Sequence, residues 1–273
     1  MALFVTSLNS GSNGNCYYVG TSEEAILVDA GLSCRETEKR LLRLGLSMQQ
    51  VKAVFISHEH SDHIFGLEVL AKKHRLPVFI TDRTRLNSSV KLHPELVNTF
   101  RAFVPVQVGS MSVYAFPKFH DAADPHSFIV SSSTTRVGIF TDIGNCCNHV
   151  EDSFSRCNAV FLESNYDEAM LMNGRYPYHL KQRIRGGKGH LSNRQALDLF
   201  LKHRNRDMSH LFLSHLSKEN NRPELVEELF KPYAGSTEIV VTSRYCETPI
   251  YQVAAKQAMP LVPKQSQVQL SLF

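Results

Sequence analysis

"KAVFISHEHSDH", residues 52–63, runs an apolar stretch straight into His58, His60, Asp62 and His63. The β-branched and aromatic run Ala53, Val54, Phe55, Ile56 predicts a buried strand. Behind it, "FGLEVLAKKH" (65–74) has helical spacing and "PVFIT" (77–81) returns as a strand, so the four polar side chains sit on a strand-to-helix turn. Imidazole and carboxylate together suit zinc, manganese or iron, and four such groups on one turn can face two adjacent ions. The alternative, a solvated polar turn ahead of a helix, does not call for the HxHxDH pattern.

The same grammar extends in both directions. Upstream, "LFVTSL", "CYYVG" and "AILVDAG" read as strands joined by the turn "SGSNGN", and a helix over 36–44 is closed by Gly45. Downstream, "VGIFTD", "AVFLES", "HLFLSH" and "TEIVVTS" are short apolar strands that each end in a polar residue, with helical spacing in "LSNRQALDLFLKH" and "RPELVEELFKPY" between them. The predicted class is α/β: two mixed sheets packed face to face, helices outside, and polar strand ends gathered along one edge. Three strand or loop ends add metal-affine groups, His120 in "FPKFHDAADP", Asp142 in "GIFTDIG" and His215 in "LFLSHLS".

Composition narrows the classes. The chain has 273 residues, 42% of them hydrophobic, which is enough for a sizeable core. It has no apolar run of about 18 residues or more, and its start lacks a basic leader with a cleavage pattern, so a cytoplasmic protein without membrane contact is expected. The six cysteines show no CxxC spacing and are expected to be mostly buried thiols. A net charge of +4 is compatible with an acidic polymer as substrate and does not by itself argue for one.

On these residues the sequence resembles the metallo-β-lactamase superfamily, whose αββα sandwich carries HxHxDH, a downstream His, a bridging Asp and a final His in this order. The resemblance covers residues 1 to about 253. Finer stretches, "SLNSGSNGNCYYV", "HDAADP", "ESNYD", "GGKGHLSN" and "LSHLSKENN", resemble bacterial metallo-hydrolases of the YycJ/WalJ (VicX) type. The resemblance implies a first metal on His58, His60, His120 and Asp142, and a second on Asp62, His63, His215 and the shared Asp142. It also implies nuclease action on DNA, directed from the 5′ end.

Chemistry points to the same reaction class: two divalent ions activate water, polarise a phosphoryl oxygen and steady a leaving alkoxide. The cofactors expected are two divalent ions, zinc or manganese, with iron also suited to these ligands. The catalytic candidates are His190, Asp62 and Glu163. His190 in "GHLSN" corresponds to a residue that contacts the scissile phosphate in related two-metal nucleases, which implies charge stabilisation or leaving-group protonation. It could instead be a loop histidine before a helix capped by Ser192 or Asn193. Glu163 is expected to orient a ligand histidine, or else to be a plain polar strand end. In "HLKQRIRGGKGH" a loop is expected to present Lys181, Arg183, Arg185 and Lys188 to phosphates. "SGSNGN" lacks the lysine and helix of a phosphate-binding loop and is taken as a strand turn.

From residue 254 neither the helical nor the strand period continues, so the expected division is a hydrolase domain over 1–253 and a flexible tail over 254–273. Its last residues, "QLSLF", resemble the peptide by which bacterial replication and repair enzymes dock on the DNA sliding clamp. Leu270, Leu272 and Phe273 would fill an apolar pocket and Gln269 would hydrogen-bond at its edge. A tail folded back on its own domain is the alternative. The ligand set leaves RNA nuclease and small-molecule phosphodiesterase open as alternatives to a DNA exonuclease. A binding module that lost its chemistry is disfavoured by the intact ligand set, and lactam or thioester hydrolysis by the aspartates at 62 and 142.

Overall fold

The computed structural model describes residues 2–255, and residues 254–273, apart from the first two, lie outside that range together with the clamp-like peptide. Its strands in chain order are β1 (Leu3–Asn9), β2 (Cys16–Gly20), β3 (Ala25–Val28), β4 (Val51–Phe55), β5 (Val78–Phe79), β6 (Val97–Asn98), β7 (Val106–Val108), β8 (Met111–Pro117), β9 (His126–Ser132), β10 (Thr135–Phe140), β11 (Ala159–Glu163), β12 (His210–Ser214), β13 (Glu238–Val241) and β14 (Tyr251–Val253). They form two sheets of seven, ordered β14-β1-β2-β3-β4-β5-β6 and β13-β12-β11-β10-β9-β8-β7. Both sheets are mixed. β3 to β6 pair in parallel in the first, and β10 to β13 in the second.

Continuous apolar strands arise because both faces of each sheet are covered. In β3, Ile26 and Val28 face the core between the sheets, while Ala25 and Leu27 join the core under the outer helices Cys34–Arg43 and Leu67–His74. β11 divides likewise: Ala159 and Phe161 point between the sheets, and Val160 and Leu162 point toward helices Asn148–Phe154, Asn193–His203 and Pro223–Phe230. Between the sheets Phe161 stacks on Phe212 at 4.3 Å and meets Tyr17 at 5.0 Å. Emptying one such aromatic position costs about 3–5 kcal/mol, so this layer fixes how the two sheets face each other. The αββα sandwich expected from the sequence is present.

Local signals set the helix ends. Ser192 and Gln195 form a reciprocal capping box, Ser33 caps the helix at Cys34, and Pro223 occupies the first turn of its helix. Two expectations need correction. The segment 179–190 is not an open loop: Tyr178–Arg185 is an α-helix, and the glycines that follow it fold back, with Gly189 N bonding Gly186 O and His190 N bonding Ile184 O. Only Cys16, Cys34 and Cys157 are buried; Cys146 and Cys147 are half-buried and Cys246 is exposed. Among the described residues no helix is long and apolar enough to cross a membrane.

Candidate metal centre

Parallel strands deliver their carboxyl ends to one edge. Asp29 follows β3 and His58 follows β4; Asp142 follows β10, Glu163 ends β11, and His215 follows β12. His120 comes from the connection between β8 and β9, so both sheets supply side chains to one buried cluster. Three of these residues, Asp29 (φ 62°), Asp142 (φ 55°) and His215 (φ 57°), hold left-handed backbone, which bends the chain sharply off its strand and costs free energy that the surrounding contacts must offset. Gly31 is needed for close approach: a Cβ there would lie 1.8 Å from the carbonyl oxygen of Asp62.

Four of the candidate histidines, His58, His63, His120 and His215, have Nδ1 tied down and Nε2 directed into the cluster. His58 Nδ1 donates to Ser57 Oγ at 2.9 Å, and that hydroxyl donates to Asp29 Oδ2 at 2.9 Å. His63 Nδ1 donates to Asp29 Oδ2 at 2.7 Å, His120 Nδ1 to Gly189 O at 3.0 Å, and His215 Nδ1 to Glu163 Oε1 at 3.1 Å. The remaining nitrogens converge in two groups. His60 Nδ1 is 3.1 Å from His58 Nε2 and 3.3 Å from His120 Nε2. Asp62 Oδ2 is 3.5 Å from both His63 Nε2 and His215 Nε2. Asp142 spans the groups, with Oδ1 3.9 Å from His120 Nε2 and Oδ2 3.1 Å from His63 Nε2.

These spacings fit metal ligation. Ligands about 2.0–2.1 Å from a tetrahedral ion stand about 3.3 Å from one another. Among the described residues Asp142 Oδ2 and His215 Nε2 are buried without a hydrogen bond of good geometry, close as His63 and Asp62 stand to them, and such atoms are costly unless an ion satisfies them. Charge agrees. Burial holds His58 well below the usual histidine range and lowers His120 to about 4, so both are neutral donors. Burial opposes the charged form of His215 too, but Asp142, Asp62 and Glu163 outweigh it and raise this histidine to about 10. In the absence of metal a proton therefore sits where a cation is required, and metal loading displaces it.

Glu163 is fully buried and accepts at both oxygens: Oε1 from His190 Nδ1 at 2.7 Å and from His215, Oε2 from Ile143 N at 2.7 Å and Leu191 N at 3.2 Å. Burial disfavours its charge, yet His190 above all holds it at about 2. With Nδ1 so engaged, His190 turns its other nitrogen away from Glu163. His190, Asp62, Asp142, His120 and Arg183 line a common cavity of about 260 Å³.

Of the four cations expected at phosphates, the structure brings only Arg183 to this cavity, where it pairs with Asp121. Lys181 Nζ instead donates to Met172 O at 2.8 Å, Arg185 reaches Met172 Sδ at 3.6 Å, and Lys188 is exposed away from the cavity lining. Sequence reasoning missed Asp29, Ser57 and Asn15. Asp29 had a signal, since "AILVDAG" ends in a polar residue like the downstream strands. Asn15 Nδ2 donates to Asp62 Oδ2 at 3.0 Å, and Ser10 Oγ accepts from His215 N at 2.8 Å, so the "SGSNGN" turn braces the centre.

Because Asp29 orients His63 directly and His58 through Ser57, Asp29→Asn is expected to lower metal affinity about 10–100-fold, measured by chelator competition. Asparagine tolerates the left-handed backbone, which isolates the lost charge. Unchanged affinity would mean that packing alone orients these rings.

An αββα sandwich with this donor cluster at its strand ends defines a metallo-hydrolase of the metallo-β-lactamase fold. The sequence profile of the Beta-lactamase superfamily domain matches residues 24–215. The exodeoxyribonuclease YycJ of Bacillus anthracis is 36% identical over 229 residues, 82% of this chain and 86% of that protein. The exodeoxyribonuclease WalJ of Streptococcus pneumoniae is 32% identical over 223 residues, 80% and 83% of the two chains. The metallo-β-lactamase fold protein YhfI of Bacillus subtilis superposes with a TM-score of 0.67 at 16% identity, covering 92% of this chain and 99% of its own. The chain belongs to the metallo-β-lactamase superfamily and, within it, to the YycJ/WalJ type.

Proposed function

We propose that the chain is a two-metal phosphodiesterase that degrades DNA from the 5′ end, in replication or repair. The observation that carries this reading is the convergence of seven donor side chains into two groups that share Asp142. His58, His60, His120 and Asp142 would hold one ion, and Asp62, His63, His215 and Asp142 the other; zinc or manganese suits such donors, and iron is also suited to them. Two divalent ions held there would supply water activation and charge neutralisation at a phosphoryl group. The chain's residues do the rest. Glu163 fixes the Nδ1 proton of His190 and stabilises the imidazolium, the form in which Nε2 carries a second proton to donate to the phosphate or the leaving oxygen. Leu180 and Ile184 form an apolar wall of the cavity that limits water. The relatives named exodeoxyribonucleases support DNA as the substrate.

Digestion of end-labelled single- and double-stranded DNA and RNA with Mn²⁺ or Zn²⁺ tests this. Immediate release of a 5′ label as mononucleotide, with a descending ladder from a 3′ label, is expected. Internal fragments, or RNA cleavage without DNA cleavage, would contradict it.

We further propose that residues 1–253 are the catalytic unit and that Gln269, Leu270, Leu272 and Phe273 dock on the bacterial DNA sliding clamp. Docking there would raise the local concentration of the enzyme at clamp-bound DNA. Deleting residues 269–273 is expected to abolish binding to the clamp of the same organism by surface plasmon resonance. Turnover of short oligonucleotides should stay within about twofold. Undiminished clamp binding would reject the docking role.

A further inference from the structure

A second cavity, of about 300 Å³, adjoins the metal cavity, and the two share Leu216 and Ser217 as a common wall. Pockets of that size are at the lower end of those that hold small ligands. Its charged lining residues are both cations, Lys218 and Arg244; Tyr245 also lines it and is 71% exposed.

Arg244 is held by the turn that precedes β2. Asn13 Nδ2 donates to Arg244 O at 2.8 Å, and the guanidinium Nη2 donates to Ser12 Oγ at 3.1 Å. Ser12 lines the metal cavity, so the guanidinium bridges the two spaces. The other terminal nitrogen, Nη1, is buried and has no hydrogen-bond partner among the described residues. Arg183, by contrast, is neutralised by Asp121. A buried guanidinium N–H without an acceptor is costly, and the acceptor that suits arginine best is an anionic oxygen of a carboxylate or phosphate. No carboxylate lines this cavity.

We propose that this cavity receives the nucleotide adjoining the scissile phosphodiester, with the Arg244 guanidinium turning so that Nη1 leaves its buried position to bond a phosphate oxygen of that nucleotide, and with Tyr245 offering its ring to the base. The inference rests on the nuclease reading of the metal centre. Phosphate rather than a peptide carboxylate is the anion, because the cavity shares a wall with a centre suited to phosphodiesters. An exposed tyrosine beside such a cation supplies the stacking surface on which single-stranded bases are held without regard to sequence.

The test compares kcat and KM on a 5′-phosphorylated oligodeoxynucleotide and on bis(4-nitrophenyl) phosphate, which has no base and no second phosphate. Arg244→Ala is expected to lower the ratio of kcat/KM for DNA to that for the small diester at least about tenfold, mainly through KM. The dependence of log kcat/KM on log salt for DNA should lose about 0.7–0.9 units of slope. Tyr245→Ala, at an exposed position that does not carry the fold, should lower the same ratio at least about fivefold with the salt slope kept. Equal falls on both substrates for Arg244→Ala, with no effect of Tyr245→Ala, would show that Arg244 only braces the Ser12 turn and would overturn the subsite. If the unmodified protein cleaves the small diester and no nucleic acid, the nuclease reading falls and takes the subsite with it. If DNA is cleaved and neither variant changes the ratio, the subsite alone falls.

Discussion

Asp142→Ala is expected to abolish hydrolysis, by at least roughly 10³-fold, and to lower bound metal below that of the unmodified protein. Removing a group that only orients a ligand already costs about 10–100-fold, and Asp142 reaches both donor groups at once. Its Oδ1 and Oδ2 stand 3.9 Å from His120 Nε2 and 3.1 Å from His63 Nε2, at a site only 2% exposed. If Asp142 bridges two ions as proposed, its loss would remove a ligand from both at once. Alanine at φ 55° also adds strain, so the loss could arise from the backbone. Asp142→Asn separates the two causes, since asparagine accepts the left-handed region and keeps the shape while losing the charge. Loss of metal in both variants assigns the effect to ligation. Activity near the original level with unchanged metal content would remove the two-metal assignment.

Local patterns were legible in the sequence; contacts across the sheets were not. His58, His60, Asp62 and His63 lie on one turn behind an apolar strand, so spacing alone brings them together. The layering was legible for a related reason: strands covered on both faces become apolar runs, as in β3, β4, β11 and β12. Asp29 meets His63 across 34 positions, and only the parallel pairing of β3 with β4 makes them neighbours. Arg244 meets Ser12 across 232 positions, a contact that no period announces. The helix Tyr178–Arg185 was hidden because its apolar face is only Leu180 and Ile184, neither of them fully buried, while the glycines beyond it suggested a loop. Of the four cations expected on that loop, the helix brings Arg183 to the cavity lining.

His190→Ala is expected to leave metal content intact and to reduce kcat on DNA about 10²–10⁴-fold. Its ring lies between the donor groups, with centroid distances of 5.3 Å to His120 and 5.4 Å to His215, yet its Nδ1 is committed to Glu163. That hydrogen bond decides between ligand and acid–base roles. Glu163 already accepts from His215 through the same oxygen and from two backbone N–H groups through the other, so it cannot swing away to free His190 Nδ1. A histidine pinned in this way donates from Nε2 when it enters the step as the imidazolium, with a proton on each nitrogen. If it protonates the leaving oxygen, the defect should shrink to about tenfold or less on bis(4-nitrophenyl) phosphate, whose nitrophenolate leaves without a proton. If it instead stabilises charge on the phosphoryl oxygens, both substrates should lose activity alike. The loss should lie in kcat, which separates it from the KM effect expected of Arg244→Ala. Metal stoichiometry decides the assignment itself: a His190→Ala protein that binds less metal makes the residue a ligand, and a Glu163 contact that held it away from the ions would then have to break on loading.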